Sequence, residues 1–582
     1  MTDNKGSLFD LEALKRKGGL NAGDILAVDR RLYQKFMIYN SRRVKRDEAT
    51  CNLIFLTGLS AYTSDPINTF LRGESSLGKT YITVNVLKPF PARDVWFLGS
   101  LSPTALVHDK GSLVDKNGDP IEIVSKPEKE ATQEEKEAYS QFIEKMRDSH
   151  YVVDLSGKIL VFLEAPNIKT FNMLRPILSH DVNEISYKFT DKTAKGRLQT
   201  QHVVIRGWPA TVFCSTSEEF VNDLATRSFT FTPENTEAKI KDANILSGCK
   251  AAFPWKFEDN QDFMLLQGYI MAFKEKMKAI KSIIPFGDKF AEQFPSKFPR
   301  AMRDFTHLLA LIEVKSLFHY AQRPILERTI KHELVTSDPD LPKFSEETQT
   351  YVLATREDYD SVIDLWNQIR ETTETSAAAH IIRFFHEVVE DEALRKAQAN
   401  KDKLFDYTLT IKELTDSWNK KFPDKKSSDT IRKWVEFLCQ VGFMTKEPNI
   451  GDKRENLLRV IKNKNGNYTQ NDFATIFTFE SFKAWLNEAR QITASNQIFI
   501  RKDILSSQEA TPEEVYSRYY LSVFSNDAVI CPDDCKASIA KRVKEKAESD
   551  ESVQYLNLKE LEKDHQLAKG AAAVLNGTSR SR

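Results

Sequence analysis

The sequence predicts a mixed α/β fold, in which a mostly parallel sheet is followed by a helical region and a small helix-turn-helix domain. Three observations support this prediction. Short strand-like runs alternate with helical or charged stretches between residues 95 and 231, and a glycine-rich stretch at 73–80 separates a strand-like run from a helix-like run. From about residue 255 the apolar residues recur with helical spacing. Alternation of strands and helices is typical of a parallel sheet.

Length and composition bound the possible classes of protein. A chain of 582 residues is too long for one core and suggests three or four domains. The 83 basic and 83 acidic side chains balance, so any contact with nucleic acid must come from local basic patches. No apolar stretch reaches 18 residues and the amino terminus does not resemble a signal peptide, so we expect a cytoplasmic protein without a membrane span.

The six cysteines are scattered, as expected of reduced thiols. Cys531 and Cys535 are close enough to suggest zinc, but no second cysteine or histidine pair completes a set of four ligands. We therefore expect no zinc site.

The stretch GESSLGKT has the pattern Gly-x4-Gly-Lys-Thr, which places flexible glycines where a backbone must wrap around phosphates. In this pattern the lysine, Lys79, contacts the β- and γ-phosphate oxygens, and the hydroxyl of Thr80 reaches Mg²⁺. The following helix directs its amino-terminal amides at the anion. The sequence thus predicts an ATP and Mg²⁺ site formed by Gly73, Glu74, Ser75, Ser76, Leu77, Gly78, Lys79 and Thr80. The alternative is a glycine-rich turn without a ligand.

An acidic residue follows the apolar run KILVFLE, at Glu164. It is the candidate catalytic base that polarises the attacking water. The usual pattern ends in Asp-Glu, and here the Asp position is Leu163. Mg²⁺ would then be held by Thr80, phosphates and water, and an ATPase that binds well but hydrolyses slowly is the alternative.

Taken in order, these elements resemble the AAA+ module of P-loop ATPases, and within it the minichromosome maintenance (MCM) helicase branch. The stretch LSPTALVHDKG at 101–111 lies where that branch carries a strand end before an insert, and a charged helix at 126–148 takes the place of the insert. A helix, a hairpin with a basic tip and a sensor strand follow between 169 and 217. The resemblance covers roughly residues 35–370.

The resemblance implies roles for several residues of the core. Basic hairpins of this branch grip nucleic-acid backbone, which assigns that role to Lys188, Lys192, Lys195 and Arg197. A solvated basic turn is the alternative. The polar sensor residue corresponds to Ser215 or Thr216. The arginine that acts on a neighbouring subunit corresponds to Arg227, and the sensor-two arginine corresponds to Arg303, with Arg300 as its neighbour. Such a trans-acting arginine implies a ring or filament.

The chain departs from replicative MCM helicases in two respects: its amino-terminal region is too short for a zinc and OB-fold collar, and the acidic motif lacks Asp. This combination is most similar to MCM-like helicases of mobile elements, phages and plasmids. The resemblance implies DNA as ligand, a ring that is expected to be a hexamer, and a primase, polymerase or initiator as a possible partner. The predicted domains are an arm at 1–34, an ATPase core at 35–254, a helical lid at 255–371, a winged-helix-like domain at 376–490 and a charged helical or disordered tail at 491–582.

The region after residue 376 predicts helix, turn and helix, with Ser427 or Ser428 as amino-terminal cap of the second helix. A β-wing can follow. The second helix has a core face of Ile431, Trp434, Val435, Leu438 and Val441, and outward basic residues Lys426, Arg432, Lys433 and Lys446. This resembles a winged helix, a module that binds duplex DNA through its second helix or docks other proteins.

The favoured function is an oligomeric ATPase that translocates on or unwinds DNA in replication. The basic hairpin supports this motor, and the missing Asp supports an alternative, a DNA-binding ATP switch or initiator without unwinding activity. A protein-remodelling machine ranks lowest, because the candidate pore element is basic rather than aromatic.

Overall fold

The computed structural model describes residues 26–73, 75–99, 111–115, 117–122, 124, 132–147, 149–164, 168–191, 199–215, 227–294, 300–333, 344–375, 379–399, 408–440, 443–448, 456–460, 473–491, 497–503 and 508–521. The chain divides into two units, residues 1–524 and 525–582, and the second lies wholly outside the described residues. No helix in the described ranges combines the length and apolar character needed to span a bilayer.

A five-stranded parallel sheet forms the centre of the α/β part, in the order β2-β5-β8-β1-β9. Its strands are β1 (Asn68–Arg72), β2 (Val95–Leu98), β5 (Ile159–Phe162), β8 (Ala210–Ser215) and β9 (Phe229–Phe231). The predicted fold class is confirmed: a parallel α/β sheet precedes helices and a winged-helix domain.

Both faces of the central sheet are buried, because its strands are apolar at consecutive positions. Ile159 and Val161 of β5 lie in one hydrophobic core, whereas Leu160 and Phe162 lie in a second core on the other face. Helices that cover the two faces account for such continuous apolar runs. The helices are α1 (Leu32–Ser41), α2 (Glu48–Ser60) and α3 (Lys79–Leu87), which contribute to the first core, and α5 (Ile168–Leu178), which contributes to the second.

A second sheet of four strands has the order β3-β4-β7-β6. It comprises β3 (Ser112–Val114), β4 (His150–Asp154), β6 (Glu184–Asp191) and β7 (Gln199–Arg206), and the charged helix α4 (Gln133–Arg147) lies between β3 and β4 in the chain. The predicted hairpin is β6–β7, with antiparallel pairing along its length. The hairpin strands β6 and β7 thus belong to this second sheet and not to the central one.

The region predicted as an all-helical lid also contains strands. Its helices are α6 (Glu237–Ala252), α7 (Gln261–Lys276), α8 (Gly287–Gln293), α9 (Ala301–Phe318) and α10 (Arg356–Thr375). Three strands lie among them, β10 (Ile280–Ile283), β11 (Ile325–Glu333) and β12 (Phe344–Leu353). The apolar ends of β11 and β12 are buried, with Ile325, Leu326, Val352 and Leu353 all in the core. Their backbone groups are satisfied because β11 and β12 pair with each other and β10 pairs with β12.

The start of the region predicted as a charged tail belongs to the same lid. After α15 (Phe473–Ile476) and α16 (Phe479–Gln491), strand β15 (Gln497–Arg501) pairs antiparallel with β11, and α17 (Pro512–Tyr519) follows. Ile500 is fully buried, and the hydroxyl of Tyr520 donates to the carbonyl of Ala354 at 3.0 Å. The boundary at 491 therefore misplaces these residues, whose apolar side chains are needed to complete the lid core.

The predicted amino-terminal arm also extends too far. Leu26, Ala27, Leu32 and Tyr33 are buried in the first core. Residues 26–34 thus belong to the folded unit, because these side chains pack on α2 and on the end of α9; the ring of Tyr33 contacts Phe318 with centroids 5.3 Å apart.

The winged-helix prediction is confirmed in its elements. Its second helix, α14 (Ser428–Gln440), is capped by Ser427, whose Oγ accepts from the amide of Thr430 at 3.3 Å. Ile431, Trp434, Val435 and Leu438 are buried as predicted, and Val441 lies outside the described residues. The elements are α11 (Ala379–Phe384) with a π-helical turn (Phe385–Glu390), α12 (Asp391–Ala399), α13 (Ile411–Lys421), α14 (Ser428–Gln440), β13 (Met444–Pro448) and β14 (Asn456–Val460).

Candidate functional site

The glycine-rich loop turns sharply between β1 and α3. Gly73 and Gly78 have φ values of 140° and 81°, and Ser76 between them has φ 71°. These left-handed conformations are costly for side chains with a Cβ, which explains glycine at two of the three positions. A Cβ added to Gly73 would lie 2.7 Å from Leu77 Cδ1 and 3.1 Å from Thr232 Cγ2. Glu74 lies outside the described residues.

Lys79 begins α3 and folds back into the loop. Its side chain is only 7% exposed, and its Nζ donates to the carbonyl oxygen of Gly73 at 2.8 Å. Thr80 follows and is exposed. A buried ammonium inside a backbone turn at a helix amino terminus is suited to an anion, so the residues present fit a polyphosphate, with the Thr80 hydroxyl available to its Mg²⁺.

A second lysine, which the sequence did not single out, contacts the same loop. Lys239 of α6 donates to the carbonyl oxygen of Leu77 at 3.2 Å and forms an ion pair with Asp47. The carboxylate of Asp47 also accepts from the amide of Glu234 at 2.9 Å. Burial raises the pKa of Asp47, and the hydrogen bond and charge of Lys239 oppose that rise. Lys239 therefore stabilises the position of the loop relative to α6.

An open cavity of about 470 Å³ lies on the other side of this ion pair. Glu234 lines this cavity, and its backbone amide donates to Asp47. Asp47 in turn pairs with Lys239, which contacts the loop. The residues that line the cavity are Ser41, Val44, Lys45, Arg46, Glu48, Glu234 and Asp242.

Glu164 lies at the same edge of the central sheet as the loop. Arg72 of β1 is level with Ser215 of β8, and Phe162 of β5 is level with Phe213, two residues earlier in β8. Glu164 is therefore level with the end of β1, two strands or about 10 Å to the side, and it is exposed. Leu163, in the position of the usual Asp, is half-buried against the first core.

The strand between the loop and Glu164 ends at the candidate sensor. Ser215 is the last residue of β8, and Thr216 lies outside the described residues. One residue earlier, Cys214 is buried beneath α3, with its Sγ 3.5 Å from Thr83 Oγ1. Burial raises the pKa of this thiol, so it packs as a small neutral side chain.

Arg227 lies at the opposite edge of the sheet. It precedes β9, whose Phe229 is level with Thr69 near the start of β1. The carbonyl oxygen of Arg227 lies 3.5 Å from Nδ2 of Asn68, the first residue of β1. The five residues of β1 separate this edge from the loop by about 16 Å. The half-buried Arg227 is thus remote from its own loop.

Arg300 and Arg303 lie at that same edge. Arg300 donates to the carbonyl oxygen of Ser228 at 2.9 Å and pairs with Asp304 at 3.0 Å. Arg303 is exposed, and His307, one turn further along α9, packs on the ring of Phe229. Burial, then the charges of Arg300, His180 and Arg303, lowers the pKa of His307 to about 3. The two predicted catalytic arginines are thus brought together, away from the loop.

Of the predicted nucleic-acid contacts on the hairpin, Lys188 is described and is exposed on β6. Lys192, Lys195 and Arg197 lie outside the described residues. In the winged helix, Arg432 and Lys433 are exposed on α14. Acidic neighbours accompany these and the other predicted basic residues: Arg432 pairs with Asp429 at 2.7 Å, Lys446 with Glu436 at 3.9 Å and Lys426 with Asp424 at 2.7 Å.

No group of three or more histidine, cysteine or acidic side chains with metal-binding geometry occurs in the described part of the chain. Cys531 and Cys535 lie outside it.

No protein-family model matches the chain, and no curated protein matches it. Among solved structures, that of the Aeropyrum pernix Orc1 protein in complex with DNA is similar, with 10% sequence identity, over 78% of this chain and 95% of that chain. The TM-score of this superposition is 0.18, which is too low for the likeness to carry an argument about this protein.

Proposed function

We propose that the protein is an oligomeric, ATP-hydrolysing DNA translocase or helicase of the MCM-like AAA+ type, expected to act in the replication of a mobile element. One observation carries the proposal: the phosphate loop with Lys79 and the arginine pair Arg227 and Arg303 lie at opposite edges of one sheet. A subunit cannot use its own arginines on its own nucleotide, so a head-to-tail neighbour must supply them.

The order of the strands supports the AAA+ assignment. The strand that ends at the phosphate loop, β1, lies inside the sheet, and β8 separates it from the strand that precedes Glu164. This is the order of strands in an AAA+ module. The crevice at the carboxyl ends of such strands is where α/β sheets bind ligands.

In this assignment the chain's own groups position the nucleotide and the water. Lys79 and the loop amides would bind the phosphates, the hydroxyl of Thr80 would hold Mg²⁺, and Glu164 would accept a proton from the attacking water. The chemistry that Mg²⁺ would supply there is partial neutralisation of the phosphate charge. Arg227 of a neighbour would stabilise the charge that develops on the γ-phosphate, with Arg303 of the same neighbour beside it.

The hairpin and the winged helix support DNA as the ligand to different degrees. Lys188 and the basic tip beyond it give the hairpin an excess of positive charge, which suits phosphate contacts. On α14, Asp429 pairs with Arg432, and Glu436 pairs with Lys446 of β13. The winged helix therefore fits protein docking as well as DNA binding, and we assign the main DNA contact to the hairpin.

A DNA-binding ATP switch without unwinding activity is the second candidate. The observation that favours it is Leu163, which packs against the core where a second carboxylate would contact the Mg²⁺ shell. Hydrolysis by Glu164 alone would be slower, and a switch needs fewer turnovers than a motor.

Mixing of two inactive variants tests the proposal. Lys79→Ala weakens nucleotide binding and removes a charge that contacts the phosphates, and Arg227→Ala removes the neighbour's arginine. Each variant should therefore abolish ATP hydrolysis and displacement of a forked duplex. In an equal mixture about one quarter of the interfaces carry both native groups, and partial ATPase activity should return. Arg395→Ala, an exposed arginine on α12, is the matched control and should behave as wild type.

Two outcomes would contradict parts of this proposal. No recovery in the mixture, with both variants folded, would show that Arg227 does not act between subunits. Wild-type protein that hydrolyses ATP in a DNA-dependent way but never separates a forked duplex would contradict the helicase and support the DNA-binding switch.

A further inference from the structure

The second sheet carries a row of basic and imidazole side chains across three of its strands. Lys188 of β6 is directly opposite His202 of β7. Tyr151 of β4 is level with Val203 of β7, which makes His150 level with His202. The two imidazole rings have centroids 5.4 Å apart. Residues that are level on neighbouring strands share a face, so these three side chains form one row.

This row lies on the face of the sheet that does not pack on the second core. Val203 and Ile205, which alternate with His202 along β7, are fully buried in that core, and Ile185 of β6 packs against it. On the other face Lys188 is exposed, and His150 and His202 are each partly exposed. This face is partly covered, since Val152 and Val204 are buried there with Val114. The three side chains of the row nevertheless keep exposed surface that solvent and ligands can reach.

The charge of the row is not balanced locally. Among the described residues no acid forms an ion pair with Lys188. The acids on the same face, Asp154 and Glu184, lie about 13 Å away along the strands, level with Arg206. Arg206 pairs with Asp154 at 3.1 Å, and Glu184 leaves that end of the face with one acidic side chain in excess. The row is thus the cationic end of this face, and it is the end nearer the hairpin tip.

We propose that Lys188, His202 and His150 form a binding site for single-stranded nucleic acid, which extends the contact surface from the hairpin tip onto the sheet. Lys188 forms an ion pair with a phosphate, and the imidazole rings offer flat faces on which an unpaired base stacks. A single strand is specified because stacking on the rings requires a base that is free of its partner strand. The inference rests on the proposed contact between the hairpin and DNA.

Fluorescence anisotropy of labelled oligo(dT) with the full chain tests this site. The double variant His150→Ala/His202→Ala should bind oligo(dT) between about fivefold and about a hundredfold more weakly, the loss expected for one stacked base. Lys188→Ala should reduce the slope of log affinity against log salt by about 0.7, the value for one phosphate contact on a single strand. His386→Ala and Lys278→Ala, exposed residues on other elements, are the controls and should bind as wild type.

A second variant guards against misfolding. His150→Gln/His202→Gln keeps polar side chains of similar size but offers no ring, so it should lose the same affinity while its thermal unfolding matches wild type. Oligo(dT) binding equal to wild type in both double variants, together with weak binding by Lys195→Ala, would overturn the site and leave the proposed hairpin contact intact. Failure of the wild-type chain to bind oligo(dT) would reject both.

Discussion

The ammonium of Lys274 lies 2.9 and 2.7 Å from the two carboxylate oxygens of Asp94. Asp94 precedes β2, and its side chain is only 1% exposed. It also accepts from the hydroxyl of Tyr62 at 2.9 Å and lies 3.8 Å from Nζ of Lys158. Since Lys274 belongs to α7 of the lid, this one carboxylate joins the lid to the central sheet.

We expect Asp94→Ala to lower the free energy of unfolding by about 3–5 kcal/mol, because it leaves the partly buried Lys274 without its counter-charge. Urea unfolding monitored by circular dichroism measures the change. Asp391→Ala is the matched control: Asp391 is exposed and pairs with the exposed Lys421 at 2.8 Å, so its loss should cost less than about 1 kcal/mol. Equal losses in both variants would contradict a special role of Asp94.

Lys79→Ala should weaken binding of a fluorescent ATP analogue by about tenfold to a hundredfold or more, because a charged hydrogen bond to phosphate is lost. Lys88→Ala provides a stringent comparison, since Lys88 directly follows the same helix and is exposed. It should bind the analogue as wild type. Similar weakening in the two variants would indicate a general loss of structure in α3.

Lys239→Met should destabilise the protein in a pH-dependent way. Burial already raises the pKa of Asp47, and removal of Lys239 raises it further. A carboxyl group whose pKa is raised by folding loses stabilising free energy as the pH rises through that pKa. The variant should therefore lose about 3–5 kcal/mol near neutral pH and less near pH 4.

Thermal unfolding across pH measures this effect. The double variant Asp47→Asn/Lys239→Met should have lost most of this pH dependence, since the buried side chain no longer ionises. A loss in Lys239→Met that is constant from pH 4 to pH 8 would mean that the ion pair with Asp47 is not its cause.

Glu313 of α9 supplies a second pH prediction. Burial, and then the charge of Asp65, raises its pKa from 4.5 to about 7. The stability that its protonation contributes is present below about pH 4.5 and is lost as the pH rises to about 7. Glu313→Gln stays neutral and should be more stable than wild type by about 3 kcal/mol at pH 8, with no difference near pH 4. Equal stability of the two proteins at pH 8 would argue that Glu313 is not buried as described.

The parts of the fold that local pattern specifies could be predicted from the sequence. Consecutive apolar residues identified β5, and the spacing of Ile431, Trp434 and Leu438 identified the core face of α14. Strand β15 could not be found in this way, because its partner β11 lies more than 160 residues earlier and pairing between distant segments leaves no local periodicity. The alternation in β11 is weak, and helices flank it.

The same distinction holds for the candidate site. The loop residues follow a fixed spacing, so Lys79 could be predicted to face the turn. The contact of Lys239 with Leu77 joins positions 162 apart, and a lysine near the start of α6 has no feature that marks it. The shared edge of Arg227 and Arg303 likewise depends on how α9 packs beside β9, which is a property of the tertiary fold.

The return of the chain to the lid through β15 has a mechanical consequence for the winged helix. The chain leaves the lid near Thr373, whose hydroxyl donates to Thr230 at 2.9 Å, and returns at Phe473, whose ring contacts Tyr359. Tyr359 and Thr373 are 14 residues apart on α10, or about 21 Å. Because the winged-helix domain is attached to α10 at two points this far apart, it can rotate about the line that joins them. Rotation about other axes is restricted.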